Sequence, residues 1–435
     1  MYMKKIYLFL SFFTLSLSLN AQFIMKGELK NYDNKPVVLR VYENGIMRFL
    51  QRVKTDSKGA FTYKFPMAYD GVIQMELQRG AYQILSDNKD ITFHLDVKEP
   101  NHRVNYTGGI NKEYQDYIDY QNYLKIKDRT LAGLETFYTP DQDFYKAIKK
   151  EAQRIASMKP VVPKNETLKY YIDTKDLIDV YDEQKVANTA IKEEALKHLT
   201  RDSDELENYG FLPQFVQLYL THSYQGAVSK QQAGKLIEKA CDELLAAVGE
   251  DTPRGQSVLV SLITLLQASN FKDLGEKYTK EAQALTCEIT PELKNMLQGA
   301  ENIKVGKKAP NIVFDKKIKG SKSLYDIKAN KKLIVFWGSW CGHCQHELPY
   351  IKEFYKNFKK SGGEIVAVAV DLDANDYMPL VNDVDWINYS DLLKWDGKAV
   401  KDFAVDGTPT LIMLDKNNKI LKIGSRISQF TDYLK

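Results

Sequence analysis

Cysteine and tryptophan are scarce in this chain of 435 residues, which contains four of each. So few cysteines exclude a fold that is built on a disulfide framework. No cysteine precedes Cys241, and no tryptophan precedes Trp337. This uneven distribution predicts that unrelated modules are joined in one chain, and the length favours about three domains.

A large excess of charge of one sign is also lacking. The chain has 61 lysines and arginines against 57 aspartates and glutamates, so the formal net charge is only +4. Nucleic acid is therefore not expected as a partner. Hydrophobic residues make up 44% and charged residues 27% of the chain. Those are ordinary globular values, which exclude a disordered or fibrous protein.

Long apolar runs are limited to the N-terminus. Residues 6–19 form an apolar run of 14 residues, whereas a membrane-spanning helix needs about 20. Lys4 and Lys5 precede the run and Ala21 follows it, a pattern typical of a secretory signal peptide. We expect residues 1–21 to be removed and the mature protein to work outside the cytoplasm. Membrane association is expected only if this segment is retained.

Residues 22–105 are predicted to form an all-β, sandwich-like domain. Residues 37–42 follow a strand pattern. Turn signals occur at four places: Asp33-Asn34, Asn44-Gly45, Ser57-Lys58-Gly59 and Asp70-Gly71. His94 and His102 are isolated histidines, so this region offers no catalytic group.

Residues 110–300 are predicted to form an α-helical domain, because apolar residues recur at helical spacing. Three Thr-Pro pairs predict helix N-termini: Thr139-Pro140, Thr252-Pro253 and Thr290-Pro291. Cys241 and Cys287 lie in this region. They either pair with each other or remain separate thiols, and the sequence leaves both open.

Residues 304–435 are predicted to form an α/β domain that carries the chemistry. An apolar strand pattern at 333–337 leads into Cys341 and Cys344, and a helical stretch follows. At a helix N-terminus the macrodipole favours the thiolate, so Cys341 is predicted to be the attacking thiol. Cys344 lies one turn later and is predicted to resolve the mixed disulfide.

Three other interpretations of this cysteine pair are weaker. A structural disulfide across so short a loop is rare. A c-type haem site needs histidine directly after the second cysteine, where this chain has Gln345. A zinc site could recruit His343 or His346, but no second cysteine pair completes it. No metal and no cofactor are therefore expected.

Four stretches of the C-terminal region carry a family resemblance: Val305-Gly306-Lys307-Lys308-Ala309-Pro310, Phe336-Trp337-Gly338-Ser339-Trp340-Cys341-Gly342-His343-Cys344, Glu347-Leu348-Pro349 and Gly407-Thr408-Pro409-Thr410. Together they resemble the TlpA/ResA/DsbE-like group of extracytoplasmic thiol–disulfide oxidoreductases, which have a thioredoxin fold. The resemblance covers a little under a third of the chain.

The resemblance implies that Pro409 follows a cis peptide bond and lies against the cysteine pair. The backbone of Thr408 would then face an extended substrate, with Trp340, Gly342 and His343 as further predicted substrate contacts. The resemblance also implies that the substrates are proteins with disulfides or thiols, and that a membrane protein is the redox partner.

Two departures from cytosolic thioredoxin matter for the chemistry. Cytosolic thioredoxins carry a buried aspartate six residues before the first cysteine, where this chain has Val335. Glu347 matches the acidic residue of the extracytoplasmic group and is predicted to accept the proton of Cys344. The alternative is an ordinary surface glutamate near a helix start. The pair Gly342-His343, found in protein disulfide isomerases, predicts a more oxidising couple than in thioredoxin.

The sequence as a whole predicts a periplasmic thiol–disulfide oxidoreductase that acts as a reductase, for example of apocytochromes in cytochrome c biogenesis. Disulfide isomerase or oxidase activity stays open. The first 300 residues weakly resemble modules of secreted Gram-negative proteins, so a binding or scaffold protein with an auxiliary thioredoxin module is the alternative from another class. A peroxiredoxin-type peroxidase is disfavoured because Gly338-Ser339-Trp340 replaces the expected proline and threonine.

Overall fold

The computed structural model describes residues 23–99, 103–158, 161–182 and 188–434. The predicted signal peptide (1–21) and His102 lie outside these residues. No helix in the described ranges combines the length and the apolar character needed to cross a membrane. The described chain is β-rich at first, helical in the middle and mixed α/β at its C-terminal end.

The strands are β1 (Phe23–Lys30), β2 (Pro36–Glu43), β3 (Ile46–Lys54), β4 (Ala60–Phe65), β5 (Asp70–Glu76), β6 (Ala81–Asp87), β7 (Ile91–Asp96), β8 (Val104–Tyr106), β9 (Val313–Ile318), β10 (Ser321–Ser323), β11 (Lys331–Trp337), β12 (Gly363–Ala369), β13 (Ile387–Tyr389), β14 (Thr410–Asp415) and β15 (Ile420–Gly424).

The α-helices are α1 (Gly109–Glu135), α2 (Asp143–Ala156), α3 (Glu166–Asp182), α4 (Thr189–Leu199), α5 (Glu205–Asn208), α6 (Leu212–Tyr224), α7 (Lys230–Val248), α8 (Pro253–Ala268), α9 (Lys272–Ala284), α10 (Pro291–Asn302), α11 (Gly342–Lys360), α12 (Ala374–Val381) and α13 (Lys398–Asp402). Short 3-10 helices are Leu324–Asp326, Lys394–Asp396 and Ile427–Leu434.

The β-rich region consists of two four-stranded sheets, in the orders β4-β1-β7-β8 and β3-β2-β5-β6. Both sheets contribute fully buried side chains to one core, among them Met25, Leu39 and Ile73. Asp70-Gly71 was expected to be a turn but begins β5 instead. The physical reason for Gly71 is close packing, since a Cβ there would lie 2.6 Å from the backbone oxygen of Asn208.

The helical region confirms two of the three predicted helix starts. Thr252 and Thr290 cap α8 and α10 with their side chains. Thr139 does not cap α2, because its carbonyl oxygen instead accepts a hydrogen bond from the amide of Gln142 at 3.0 Å and closes a turn. Cys241 and Cys287 are both free thiols, so they do not pair.

The C-terminal region is built on a five-stranded sheet in the order β13-β12-β11-β14-β15. β11 runs parallel to β12 and antiparallel to β14. Alternate residues of β11 enter two cores, with Val335 on the side of α11 and Ile334 on the opposite side. A central strand that is buried on both faces explains the unbroken apolar run at 333–337. The end of this strand at Trp337 also fixes where the loop to Cys341 begins.

Candidate active site

Cys341 and Cys344 lie at the junction between β11 and α11, as the sequence predicts. They form a disulfide with their Cα atoms 5.2 Å apart. Cys341 is the N-cap residue of α11, and its Sγ accepts a hydrogen bond from the amide of Cys344 at 3.1 Å. A backbone amide of the first helical turn that donates to this sulfur would stabilise a thiolate there. Cys341 is also the more exposed of the two, 7% against 2%.

Pro409 lies next to this disulfide. The Thr408–Pro409 peptide bond is cis, in agreement with the expectation from the resemblance. The Sγ of Cys341 lies 3.4 Å from the carbonyl oxygen of Thr408. The side chain of Thr410 donates to the carbonyl of Gly407 at 2.7 Å, which fixes the turn before β14. The backbone of this turn is thereby held against the reactive sulfur.

A groove of about 1150 Å³ lies beside the disulfide. Its walls combine predicted site residues with apolar side chains: His343, Glu347, Thr408, Pro409, Tyr350, Phe354 and Ile427. His346 also lines it, although no pattern in the sequence predicts this residue there. The helix carries His343, His346, Glu347 and Tyr350 at spacings of three and four, so these side chains share one face.

The carboxylate of Glu347 is held in a fixed position within this groove. Its Oε2 accepts a hydrogen bond from the amide of Ile427 at 3.1 Å, at the start of the C-terminal 3-10 helix. The residue is half-buried. A fixed carboxylate on the helix that carries Cys344 is compatible with the predicted role as proton acceptor.

Two predicted substrate contacts, Trp340 and Gly342, are not among the residues that line this groove. The indole nitrogen of Trp340 donates to the carbonyl of Val370 at 2.7 Å, and its ring packs edge-on against Trp395. Gly342 is exposed at the first turn of α11. The structure thus places Trp340 as a packing group and leaves Gly342 open to solvent.

Sequence reasoning missed a buried carboxylate beside the active-site loop. Asp371 follows β12 and is fully buried. It accepts hydrogen bonds from the amide and the hydroxyl of Ser339, at 3.1 and 2.5 Å. Burial raises the pKa of Asp371, and the hydrogen bonds from Ser339 act in the opposite direction. The available signal was an acidic residue directly after the apolar run 365–370, in the strand next to the one that leads into the cysteines.

Within the described ranges, no group of three or more His, Cys, Asp or Glu side chains is placed to hold a metal ion. Val335, at the position of the buried aspartate of cytosolic thioredoxin, lies in β11 among apolar side chains. The arrangement offers two sulfurs, a carboxylate and a groove, which suffices for thiol–disulfide exchange.

Comparison with known proteins points to the same part of the chain. Residues 304–432 match the family model described as Redoxin. The thiol-disulfide oxidoreductase ResA of Bacillus thuringiensis subsp. konkukian is 32% identical over 139 residues, which cover 31% of this chain and 79% of that protein. ResA of Bacillus subtilis is 31% identical over 128 residues, which cover 29% of this chain and 69% of that protein. The thioredoxin domain of a thiol-disulfide oxidoreductase from Bacteroides vulgatus is 28% identical, with a TM-score of 0.27, and covers 31% of this chain and 99% of that domain.

The ResA relatives and the cysteine pair define the class of protein, a thioredoxin-fold thiol–disulfide oxidoreductase. Each ResA protein is matched over more than two thirds of its own length. Through residues 304–432 the chain belongs to the ResA family of thiol–disulfide oxidoreductases. This confirms the resemblance that the sequence motifs indicate, and it concerns the C-terminal region alone.

Proposed function

We propose that this protein works outside the cytoplasm and reduces disulfides of protein substrates through the Cys341–Cys344 couple. The observation that carries the proposal is the position of the disulfide, at the N-terminus of α11 and against the turn of Thr408 and Pro409. The ResA relatives support the reaction class. The family resemblance supports reduction as its direction.

The reductive cycle begins with both cysteines as thiols. The thiolate of Cys341 attacks one sulfur of a substrate disulfide, so that a mixed disulfide forms and the other substrate sulfur leaves as a thiolate. Cys344 then loses its proton, for which Glu347 is the proposed acceptor, and attacks the Sγ of Cys341. The substrate leaves with both sulfurs reduced, and the protein is left with the Cys341–Cys344 disulfide. Two electrons have passed to the substrate.

Regeneration of the dithiol requires an electron donor. A membrane protein is the proposed redox partner, and apocytochromes are one proposed class of substrate. The predicted signal peptide supports export from the cytoplasm, with membrane association only if residues 1–21 are retained. The weak likeness of the first 300 residues to modules of secreted Gram-negative proteins supports a periplasmic location. N-terminal sequencing of protein from the native host tests the location, since a mature chain that starts at Gln22 is expected.

An extended stretch of the substrate is proposed to lie along the groove beside the disulfide. The groove offers Thr408 as a backbone partner and His343 as an exposed polar contact. Its apolar wall, with Tyr350 and Phe354, suits the side chains of an unfolded or extended chain better than a folded surface. Trp340 and Gly342, which lie next to the cysteines but outside the groove lining, remain proposed substrate contacts.

Disulfide isomerase or oxidase activity is the second candidate, and the position of His343 favours it. This histidine stands between the two cysteines and is exposed at the groove. When protonated beside a thiolate, it would stabilise the reduced form and make the disulfide more oxidising. Equilibration with glutathione separates the two directions. A potential near −270 mV, about that of thioredoxin, supports a reductase, and one near −180 mV, about that of the isomerase, supports oxidation or shuffling.

The division of the chain is proposed as a sandwich-like domain at 22–105, a helical domain at 110–300 and the thioredoxin-like domain at 304–435. If the first two regions held a partner or glycan, the redox module would be auxiliary, which is the scaffold alternative. Substrate trapping in cells distinguishes the two functions. A Cys344→Ser variant cannot resolve mixed disulfides, so we expect it to accumulate adducts with other proteins that a reducing agent releases.

The matched control for trapping is Cys241→Ser, which removes a buried thiol far from the motif in sequence. It should trap nothing. The double variant Cys341→Ser/Cys344→Ser should also trap nothing, because it lacks the attacking sulfur. Failure of Cys344→Ser to trap any protein, while the variant is folded and exported, contradicts the proposed oxidoreductase function.

A further inference from the structure

The β-rich region reaches into the active-site loop of the C-terminal region. The contact is made by Gln78, in the connection between β5 and β6, which is only 7% exposed. Its side-chain nitrogen donates to Asp371 Oδ1 at 2.5 Å and to Ser339 Oγ at 3.0 Å. Its side-chain oxygen accepts from the amide of Leu372 at 3.1 Å. Three of the four hydrogen bonds that this amide can form are therefore made across the boundary between the two regions.

Ser339 is the residue through which this contact reaches the cysteines. It stands two residues before Cys341, is 6% exposed and is bonded to Asp371 through both its amide and its hydroxyl. Its carbonyl accepts from the side chain of Gln345 at 2.5 Å, on the first turn of α11. The amide of Cys341 donates to the carbonyl of Gly338 at 3.1 Å. The loop before Cys341 is thus held by hydrogen bonds to Asp371 on one side and to α11 on the other.

A second contact, from the last residue of β5, supports this loop. Lys394 pairs with Glu76 at 2.6 Å, and its ammonium lies 4.7 Å from the ring centre of Trp340. Both charged side chains are almost fully buried. A desolvated cation over an indole face adds to the packing of that ring. Two residues at and just after the end of β5 therefore hold two successive residues of the loop. Gln78 bonds to Ser339 directly, and Glu76 supports Trp340 through Lys394.

We infer that Gln78 is a positioning residue of the redox site, and that the β-rich region thereby adjusts the Cys341–Cys344 couple. Gln78 touches neither sulfur and acts through Ser339 and Asp371. A buried carboxylate requires hydrogen-bond donors to remain in place. Ser339 supplies donors from within the C-terminal region, and Gln78 supplies one from outside it. The inference rests on the proposed function, because it concerns the reactivity of the same cysteine pair.

Fixing the loop favours the disulfide over the dithiol. Ring closure requires the Sγ of Cys341 to stay beside Cys344, and restraint of the preceding residues raises the effective concentration of one thiol at the other. A dithiol with a less restrained loop can place its two sulfurs further apart. Loss of the Gln78 contacts should therefore shift the equilibrium toward the dithiol.

The test compares Gln78→Met with Arg52→Ala in the full chain. Methionine keeps the length of the side chain but removes its three hydrogen bonds. Arg52 is the matched control, since its Nη2 donates to the carbonyl of Leu372 at 2.8 Å, next to Asp371, without touching the loop. Each variant is equilibrated with reduced and oxidised glutathione, and the oxidised fraction of the Cys341–Cys344 couple is measured.

For Gln78→Met we expect a shift of about fivefold toward the dithiol, which is about 20 mV because a tenfold change corresponds to about 30 mV for this two-electron couple. Arg52→Ala should shift the equilibrium by less than about twofold. If Gln78→Met does not fold, Gln78→Ala takes its place. A shift below twofold, a shift toward the disulfide, or an equal shift in Arg52→Ala overturns the inference. A wild-type couple that does not titrate reversibly contradicts the proposed function instead.

Discussion

The Sγ of Cys341 lies 3.4 Å from the carbonyl oxygen of Thr408, the residue before the cis-linked Pro409. The sulfur at the helix N-terminus and the backbone of the β14 turn therefore face the same space. In the proposed reaction, a substrate that offers its own disulfide to Cys341 is expected to lie over Thr408. The groove lined by His343 and Glu347 continues from this point, which gives the substrate one direction of approach.

The position of Cys341 at the N-terminus of α11, and its slightly greater exposure than that of Cys344, predict selective alkylation of the reduced protein. We expect iodoacetamide to modify Cys341 at least about tenfold faster than Cys344, because the helix terminus favours the thiolate of the N-cap residue. Peptide mass spectrometry after short reaction times gives the ratio. Cys241 is an internal reference, since burial raises its pKa to about 12 and it should stay unmodified. Equal rates at Cys341 and Cys344 contradict the assigned roles.

Replacement of Glu347 by glutamine tests its predicted role as proton acceptor. The amide oxygen of glutamine can still accept from Ile427, so the helix contact is kept. We expect turnover with a protein disulfide to fall by about a hundredfold or more at neutral pH, because positioned acid–base groups contribute on that order. The control is Glu353→Gln, which alters a residue that lines the same groove but pairs with Lys356 at the surface. A loss of equal size in both variants assigns the effect to groove charge rather than to proton transfer.

How much the sequence alone predicts depends on whether the signal is local. The cysteine pair, the strand before it and the helix after it are set by neighbouring residues, and the structure has them as expected. The caps at Thr252 and Thr290 are local for the same reason. Gln78 and Asp371 are nearly three hundred residues apart in the chain, and no local pattern joins them. Their contact exists only because the two regions pack together.

The position of His346 shows a related limit. Its spacing from His343 is three residues, which places both on one helix face. Which face turns toward the groove depends on the C-terminal 3-10 helix, whose residues Ile427 and Leu434 close the opposite wall. That packing cannot be obtained from the periodicity of α11 alone. Sequence reasoning therefore assigned His343 to the site and left His346 out.

The burial of Asp371 predicts a pH-dependent term in the stability of the protein. Burial raises the pKa of this carboxyl in the folded state, so the folded protein binds the proton more tightly than the unfolded chain. The contribution of Asp371 to the free energy of unfolding is therefore present below its unfolded pKa of about 4 and is lost as the pH rises through the folded pKa. Asp371→Asn removes this term.

Urea unfolding of the wild type and Asp371→Asn at a series of pH values from about 4 to 7 checks this sign. The free energy of unfolding of the wild type, relative to that of the variant, should fall as the pH rises. Other titrating groups cancel in the difference between the two proteins. A difference that is constant with pH, or that changes in favour of the wild type, contradicts a raised pKa at Asp371.

Glu76 is the anion on which a buried charge cluster between the two regions depends. It lies 3.0 Å from Arg40 and 2.6 Å from Lys394, and all three side chains are nearly inaccessible to solvent. Glu76→Gln leaves two buried cations, of which Arg40 keeps Asp396 as an acidic partner at 2.7 Å. Breaking a buried ion pair from one side costs about 3 to 5 kcal/mol, because the remaining charge stays desolvated. We expect a decrease of that order in the free energy of unfolding, measured in urea, and no measurable decrease in the surface control Glu353→Gln. If Glu76→Gln is as stable as the wild type, the charge cluster does not hold the two regions together.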